Sequence, residues 1–391
     1  MADKTAGDPS KDLQEYDIFR DSFKYFKKKK PPPDLSTVVE LSTSDSPEVE
    51  RISVLQPSLP PIRGLQPWQD WKVFCHKHMP GFFYIRNPFL SGYQEYWIRR
   101  CIQDFPCKPN LCNLDAHIEL SDGDNIWELS QSSDTLSSQD KTLVDRLRWV
   151  TLGYHHNWDT KLYTADRHSP FPADLDYVSR YLVDVLGLSA SFKAEAAIIN
   201  YYHMDSTLAP HSDHSEFNLE APLVSFSFGQ SAIMLMGTTT KADEPVPVFL
   251  HSGDIVVMSG ASRLAYHAVP RIISTAARLL PWSKAEKPHS EKGTCSHHEQ
   301  ISTSDSKNVG GRDWSQCDSS AGDDTLLKPF INSELPQNSE SQLEWFKNIN
   351  SYIDESVKNS NFELFHKYLQ QIRINMNVRQ VFKPGETFQD T

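Results

Sequence analysis

From about residue 194 the hydrophobic pattern shortens to strand-like runs, and no other feature of the chain restricts its fold as strongly. The runs are "AEAAIINYYHMD", "LVSFSFGQSAIMLMG", "VPVFLHSGDIVVMSG" and "YHAVPRII", with turns rich in Gly, Asp and Pro between them. Several short strands at regular spacing predict an all-β sandwich or barrel.

Helices surround this block in the sequence. "GFFYIRNPF" (81–89) reads as a strand ending at a turn. "SGYQEYWIRRCIQDF" (91–105) places Tyr93, Trp97, Ile98, Cys101 and Phe105 on one helical stripe. A second helix, "DLDYVSRYLVDVLGL" (174–188), stops at Gly187. Past residue 342 come helical segments, "LEWFKNINSYIDESVKN" and "NFELFHKYLQQ", and then a last strand, "IRINMNVRQVF" (372–382). No internal repeat is evident.

Four regions are expected. Residues 1–60 form an N-terminal extension, with disorder over 1–15 and a flexible linker, rich in Ser, Pro and Glu, over 35–60. Within it, "YDIFRDSFKYFKKKKPPPD" puts Phe19, Phe23 and Phe26 on one helical stripe that ends at three prolines. The expectation is a helix docked through its phenylalanines, with Lys27 to Lys30 as a solvated tail; phosphate contact and an import signal are weaker readings. Residues 61–283 hold the strand at 81–89, the first two helices of the body and the main β block. Residues 284–342, polar and poor in aliphatics, read as a disordered insertion. Its Cys295, His297, His298 and Cys317 match no standard zinc spacing and read as scattered loop residues. Residues 343–391 carry the C-terminal helices and final strand.

Net charge is −12, so a generally basic nucleic-acid binder is excluded; a polyanion partner needs local cation clusters. The 6 cysteines form no C-x-x-C pair and read as reduced thiols inside a cell. No apolar run approaches membrane-spanning length. The first 17 residues carry five acidic groups, a poor mitochondrial presequence.

"APHSDHSEF" (209–217) contains two overlapping candidate metal pairs, His211/Asp213 and His214/Glu216. Side chains alternate along a strand, so the pairs would share opposite faces, and alternation does not choose between them. Another His-x-Asp, His203/Asp205, shows how weak that motif is alone. A distal histidine strengthens it: His267 follows Asp213 by 54 residues, after a strand and a glycine turn. Two histidines and a carboxylate make a facial triad suited to Fe(II), with positions open for a cosubstrate and oxygen. His251 is a rival third ligand, although a place in the Ser252-Gly253-Asp254 turn suits it better. On the last strand Arg373, Asn375, Asn377 and Arg379 share one face, and Ile374, Met376 and Val378 the other. The polar face is an anion site for a planar carboxylate, or plain solvent surface.

Together "NYY" (200–202), "HSD" (211–213), "LVSFSFGQSAIMLMG", "HSGDIVVMSGASRLAYHAVPRI" (251–272) and "RINMNVR" (373–379) resemble the AlkB family of Fe(II)/2-oxoglutarate dioxygenases, over roughly 80–382. "LRWVTLGYHHNWD" and "NLD" (113–115) are similar to one branch of it. The resemblance implies an α+β fold: a double-stranded β-helix (jelly-roll) core with flanking helices and an N-terminal helical extension. It implies that His211, Asp213 and His267 hold the iron. Asn200, Tyr202, Arg373, Asn375 and Arg379 would bind 2-oxoglutarate, the two arginines pairing with its two carboxylates. Trp149 and Tyr154 would recognise the nucleotide. His214 and Glu216 would then lie on the pocket rim or outer surface. Asn377 departs from the family's usual Thr or Ser.

The implied activity is oxidative demethylation of N-methylated bases in tRNA and/or DNA, using Fe(II), 2-oxoglutarate and O2 and releasing formaldehyde, succinate and CO2. Two alternatives stand beside it: the same chemistry on protein, such as a histone tail, and a non-catalytic β module that binds nucleic acid. A monomer, located in the nucleus and/or mitochondrion, completes the expectation.

Overall fold

The computed structural model describes residues 16–42, 46–132, 141–275, 331–336, 338–358 and 362–388. Two antiparallel sheets build its body. The strands are β1 (Val49–Ile52), β2 (Lys72–His76), β3 (Phe82–Arg86), β4 (Leu111–Cys112), β5 (Trp149–Gly153), β6 (Ala196–His203), β7 (Leu208–His211), β8 (Leu223–Gly229), β9 (Ser231–Met236), β10 (Val246–Leu250), β11 (Ile255–Met258), β12 (His267–Ile273) and β13 (Ile372–Arg379). The larger sheet runs β1-β2-β3-β11-β8-β13-β6-β5-β4, and the smaller β10-β9-β12-β7.

Strand β13 lies inside the larger sheet, between β6 and β8. Arg373 faces Tyr202 and Gly229 in register, and Asn375 faces Asn200 and Ser227. Its apolar alternates, Ile374, Met376 and Val378, join a large core with Tyr181 and Leu182 of the helix Ala173–Val185 and Trp345 of the helix Ser339–Lys358. Each such buried aliphatic contributes about 1.5–3 kcal/mol. The helix layer therefore claims one face of β13, and its polar face is left pointing between the sheets. There a second apolar cluster, including Phe74, Tyr84, Met234, Met236 and Met258, fills one end of the sandwich.

The run 223–237 reads as one long strand but is two, one in each sheet. The chain crosses at Gly229, whose φ is +81° and whose added Cβ would lie 2.4 Å from the Ile372 carbonyl oxygen. Only glycine suits both the turn and the close approach.

Helix α1 (Ile18–Lys27) covers the outer face of the smaller sheet. Asp17 caps it, its Oδ1 accepting from the Arg20 amide at 2.8 Å. Phe19, Phe23 and Phe26 are buried against Ile233, Leu235 and Ala268. Gly237 admits the helix: a Cβ there would meet Phe19 at 2.7 Å.

Two boundaries differ from expectation. Residues 35–60 are not a free linker, because β1 pairs with β2, Val39 bridges Val248, and Val38 and Leu41 are buried. Val38, Leu41 and Val49 fall where the segment meets the sheets, whereas Leu55 stays exposed. The insertion expected to 342 ends earlier, since Ile331 and Leu335 enter the main core and a helix starts at Ser339. The aliphatics of "LLKPFI" (326–331) mark that return in the sequence. The segment 1–15 and positions 295, 297, 298 and 317 lie outside the described residues. No helix is long and apolar enough to cross a membrane among the described residues.

Candidate active site

His211 ends β7 and His267 begins β12, and the two are register partners. Their ring centroids are 4.3 Å apart. Asp213 follows just beyond β7, with Oδ2 3.7 Å from His267 Nε2 and Oδ1 4.0 Å from His211 Nε2. One ligand atom from each residue lies within 4.8 Å of the others, the only such group among the described residues.

Both imidazoles are pinned in the same way. His211 Nδ1 lies 2.9 Å from the Ala209 carbonyl oxygen and His267 Nδ1 3.1 Å from that of Ala265. Each Nδ1–H donates to its carbonyl, which fixes the tautomer and leaves Nε2 a lone pair toward Asp213. Burial first, and then the neighbouring His211, push the His267 imidazole down to about 4, so it is neutral at physiological pH. Burial alone would raise the Asp213 carboxyl. The Arg379 guanidinium, then His267 and His211, hold it well below the usual carboxylate range. Two imidazoles whose Nε2 atoms face one ionised carboxylate, on one side of a cavity, are a donor set that fits Fe(II).

The two arginines of β13 have different surroundings. Arg379 donates through Nη2 to Asp213 Oδ2 at 3.0 Å and pairs through Nε with Glu216 Oε1 at 3.1 Å. Burial would lower its pKa, but Asp213 and the other anions around it raise it well above the ordinary value. Arg373 is 1% exposed. Its Nη2 donates to Ser227 Oγ at 2.9 Å, while Nε and Nη1 have no partner. Its guanidinium lies over the Tyr202 ring, 5.3 Å from the centroid, and the Tyr202 hydroxyl is also unpartnered. Burial pushes the Arg373 pKa down to about 10. A buried cation with free donors fits a carboxylate ligand, so the residues present suit 2-oxoglutarate here.

One cavity of about 310 Å³ is lined by the triad together with Asn200, Tyr202, Arg373, Asn375 and Arg379. Asn375 is held by Ser225 Oγ at 2.8 Å and the Phe226 carbonyl at 2.9 Å, and it accepts from Asn377 at 3.0 Å. Asn377 thus supplies the hydrogen-bonding side chain at this position.

The nucleotide-recognition pair is placed differently. Tyr154 lies outside this cavity. It packs on His168, Phe382 and Phe388 and lines a separate cavity of about 270 Å³. Trp149 does not line the triad cavity either, but it packs against Trp158, which does, at 5.3 Å between centroids. Sequence reasoning missed Trp158 and Tyr163, the aromatic residues of that wall, although "NWDTKLY" displays both. Trp158 is 37% exposed, and Lys161, at φ +61°, holds its ammonium 5.9 Å from the Trp158 ring centroid.

Other expectations also shift. His214 is exposed at the rim, but Glu216 is buried, because β7 ends at His211 and strand parity lapses beyond it. His203 meets Arg148 and is not part of the triad group. His251 bonds Ser231 Oγ and Glu40, each at 2.8 Å, and belongs to the turn that ties down the N-terminal segment.

A family model described as the 2OG-Fe(II) oxygenase superfamily matches residues 81–312, a span that holds all three triad residues. The nucleic acid dioxygenase ALKBH1 of Mus musculus is 35% identical over 390 residues, covering 95% of this chain and 86% of the mouse protein. The nucleic acid dioxygenase ALKBH1 of Homo sapiens is 40% identical over 274 residues, covering 66% of this chain and 70% of the human protein. The tRNA demethylase abh1 of Schizosaccharomyces pombe is 37% identical over 254 residues, covering 59% of this chain and 83% of that protein. With the triad inside the matched span and these relatives aligned over most of their length, the chain belongs to the 2OG-Fe(II) oxygenase superfamily and, within it, to the AlkB family beside AlkB homologue 1.

Proposed function

We propose that this protein removes N-methyl groups from bases of tRNA and/or DNA. As a member of its superfamily it is a dioxygenase that depends on Fe(II), 2-oxoglutarate and O2. The observation that carries the reading is Arg373: a buried guanidinium with two unpartnered nitrogens, in the same cavity as the triad. The relatives named for nucleic acid and tRNA supply the substrate class.

His211, Asp213 and His267 would hold the iron, which when bound supplies oxidation of the methyl carbon by O2, coupled to decarboxylation of 2-oxoglutarate. One oxygen atom goes to succinate and the other to the methyl group, which leaves as formaldehyde. Arg373, Ser227 and Tyr202 seat the distal carboxylate of the cosubstrate. Asn200 and Asn375 line the space between that seat and the triad. Trp158, exposed on the wall, offers a face on which an extruded or single-stranded base can stack beside the triad. Trp149 supports it from behind.

The test incubates the full chain with Fe(II), 2-oxoglutarate and methylated tRNA or DNA, followed by mass spectrometry of the nucleosides. One succinate per methyl group lost is expected. Succinate with a methylated histone peptide, and none with nucleic acid, would replace the substrate class; no succinate with any substrate would overturn the activity. A monomer in light scattering, and nuclear or mitochondrial location of the tagged chain, are proposed on the resemblance alone.

A further inference from the structure

Glu216 has no role in the reaction as set out above, yet its surroundings are unusual for a carboxylate beside a loop. It is 6% exposed, and three donors converge on it. Arg379 Nε lies at 3.1 Å, Arg263 Nη2 at 2.9 Å and the Tyr163 hydroxyl at 3.2 Å. The same two arginines also grip Asp213: Arg379 Nη2 reaches its Oδ2 at 3.0 Å, and Arg263 Nη1 donates to its main-chain carbonyl at 2.7 Å. Two carboxylates and two guanidiniums therefore form a closed, charge-balanced cluster behind the triad.

The fork of a guanidinium fits both oxygens of a single carboxylate. On Arg379 that fork is divided. Its Nε is taken by Glu216 and its Nη2 by Asp213. Without Glu216 the Nε/Nη2 edge would be free to close on both oxygens of Asp213. The carboxylate would then be occupied on the side where a metal ion must bind. Arg263 cannot stand in for Glu216, because a guanidinium only donates and offers Arg379 Nε no acceptor.

We propose that Glu216 is a positioning residue: by engaging half of the Arg379 fork, it keeps one oxygen of Asp213 available to Fe(II). The inference rests on the triad being the metal site, and it assigns Glu216 no contact with metal or substrate.

The experiment titrates Co(II) into the metal-free full chain and follows the visible absorption of the bound ion, so no turnover is needed. Glu216→Gln should weaken Co(II) binding by about 10–100-fold, as losing an outer partner of a metal ligand does. Arg379→Lys lacks the fork, so in that background Glu216→Gln should change affinity by less than about twofold. Equal losses in both backgrounds, or unchanged affinity in the single variant, overturn the proposal. If Glu216→Gln does not fold, Glu216→Asp carries the same cycle, with an expected loss of about threefold in the wild-type background. Wild-type protein that binds no Co(II) would instead remove the metal site itself, and this inference with it.

Discussion

The two ends of β13 carry the same residue type in opposite electrostatic situations. At one end Arg379 is saturated by Asp213 and Glu216, and at the other Arg373 is buried with two nitrogens unpartnered. A buried donor left without a partner costs about 1–3 kcal/mol, and more when it is charged. A fold tolerates that cost where a ligand removes it. Under the proposed function the contrast separates two jobs that the strand pattern alone merges: Arg379 would maintain the triad, and Arg373 would receive the cosubstrate. The four polar residues between the sheets are thus a gradient from a finished ion cluster to an open anion seat.

The largest effects test the finished end. Asp213→Ala or His211→Ala should abolish turnover, while His214→Ala, at the rim, should stay within about threefold of wild type, since it offers no ligand to the metal. Loss of iron from His214→Ala with retention in His211→Ala would reverse the assignment. Next comes the contrast itself. Arg373→Lys should raise the KM for 2-oxoglutarate by roughly 10–100-fold, and Arg379→Lys by less than about fivefold, because only Arg373 has its charged donors waiting for the ligand. Equal shifts at the two positions would break the distinction.

A smaller effect belongs to the cavity wall. Stacking on a base contributes about 1–3 kcal/mol, so Trp158→Ala should lower kcat/KM on methylated oligonucleotide by roughly 5–150-fold and leave the KM for 2-oxoglutarate unchanged. The same loss from Tyr154→Ala, with Trp158→Ala silent, would move the base to the other cavity. The smallest effect on turnover is expected far from β13. Replacing Lys27 to Lys30 with Ala should leave kcat unchanged. It should flatten the salt dependence of tRNA binding, by about 0.9 in log–log slope for each phosphate that is no longer neutralised. Binding titrations at several salt concentrations check this.

Much of the site is legible in the residues themselves. The alternation of β13 separates Arg373, Asn375, Asn377 and Arg379 from Ile374, Met376 and Val378, because side-chain direction along a strand is a local property of the backbone. The phenylalanine stripe of α1 is local in the same sense, and it predicts the buried face of that helix. The resemblance adds His211, Asp213 and His267, which the structure brings to within 4.8 Å of one another.

Tertiary packing, by contrast, settles who partners whom across long separations. Arg379 and Asp213 are 166 positions apart, and Arg263 and Glu216 are 47 apart. Nothing local in "HSEF" marks Glu216 as buried, since its strand ends before it and its burial is set by two arginines arriving from elsewhere. Tyr154 is drawn away by Phe382 and Phe388, and Trp158 takes the wall, for a related reason. Chain direction after a strand ends is chosen by packing rather than by period. Local chemistry therefore named the groups. The fold alone determined which charges were neutralised, and so which arginine was left open for a ligand.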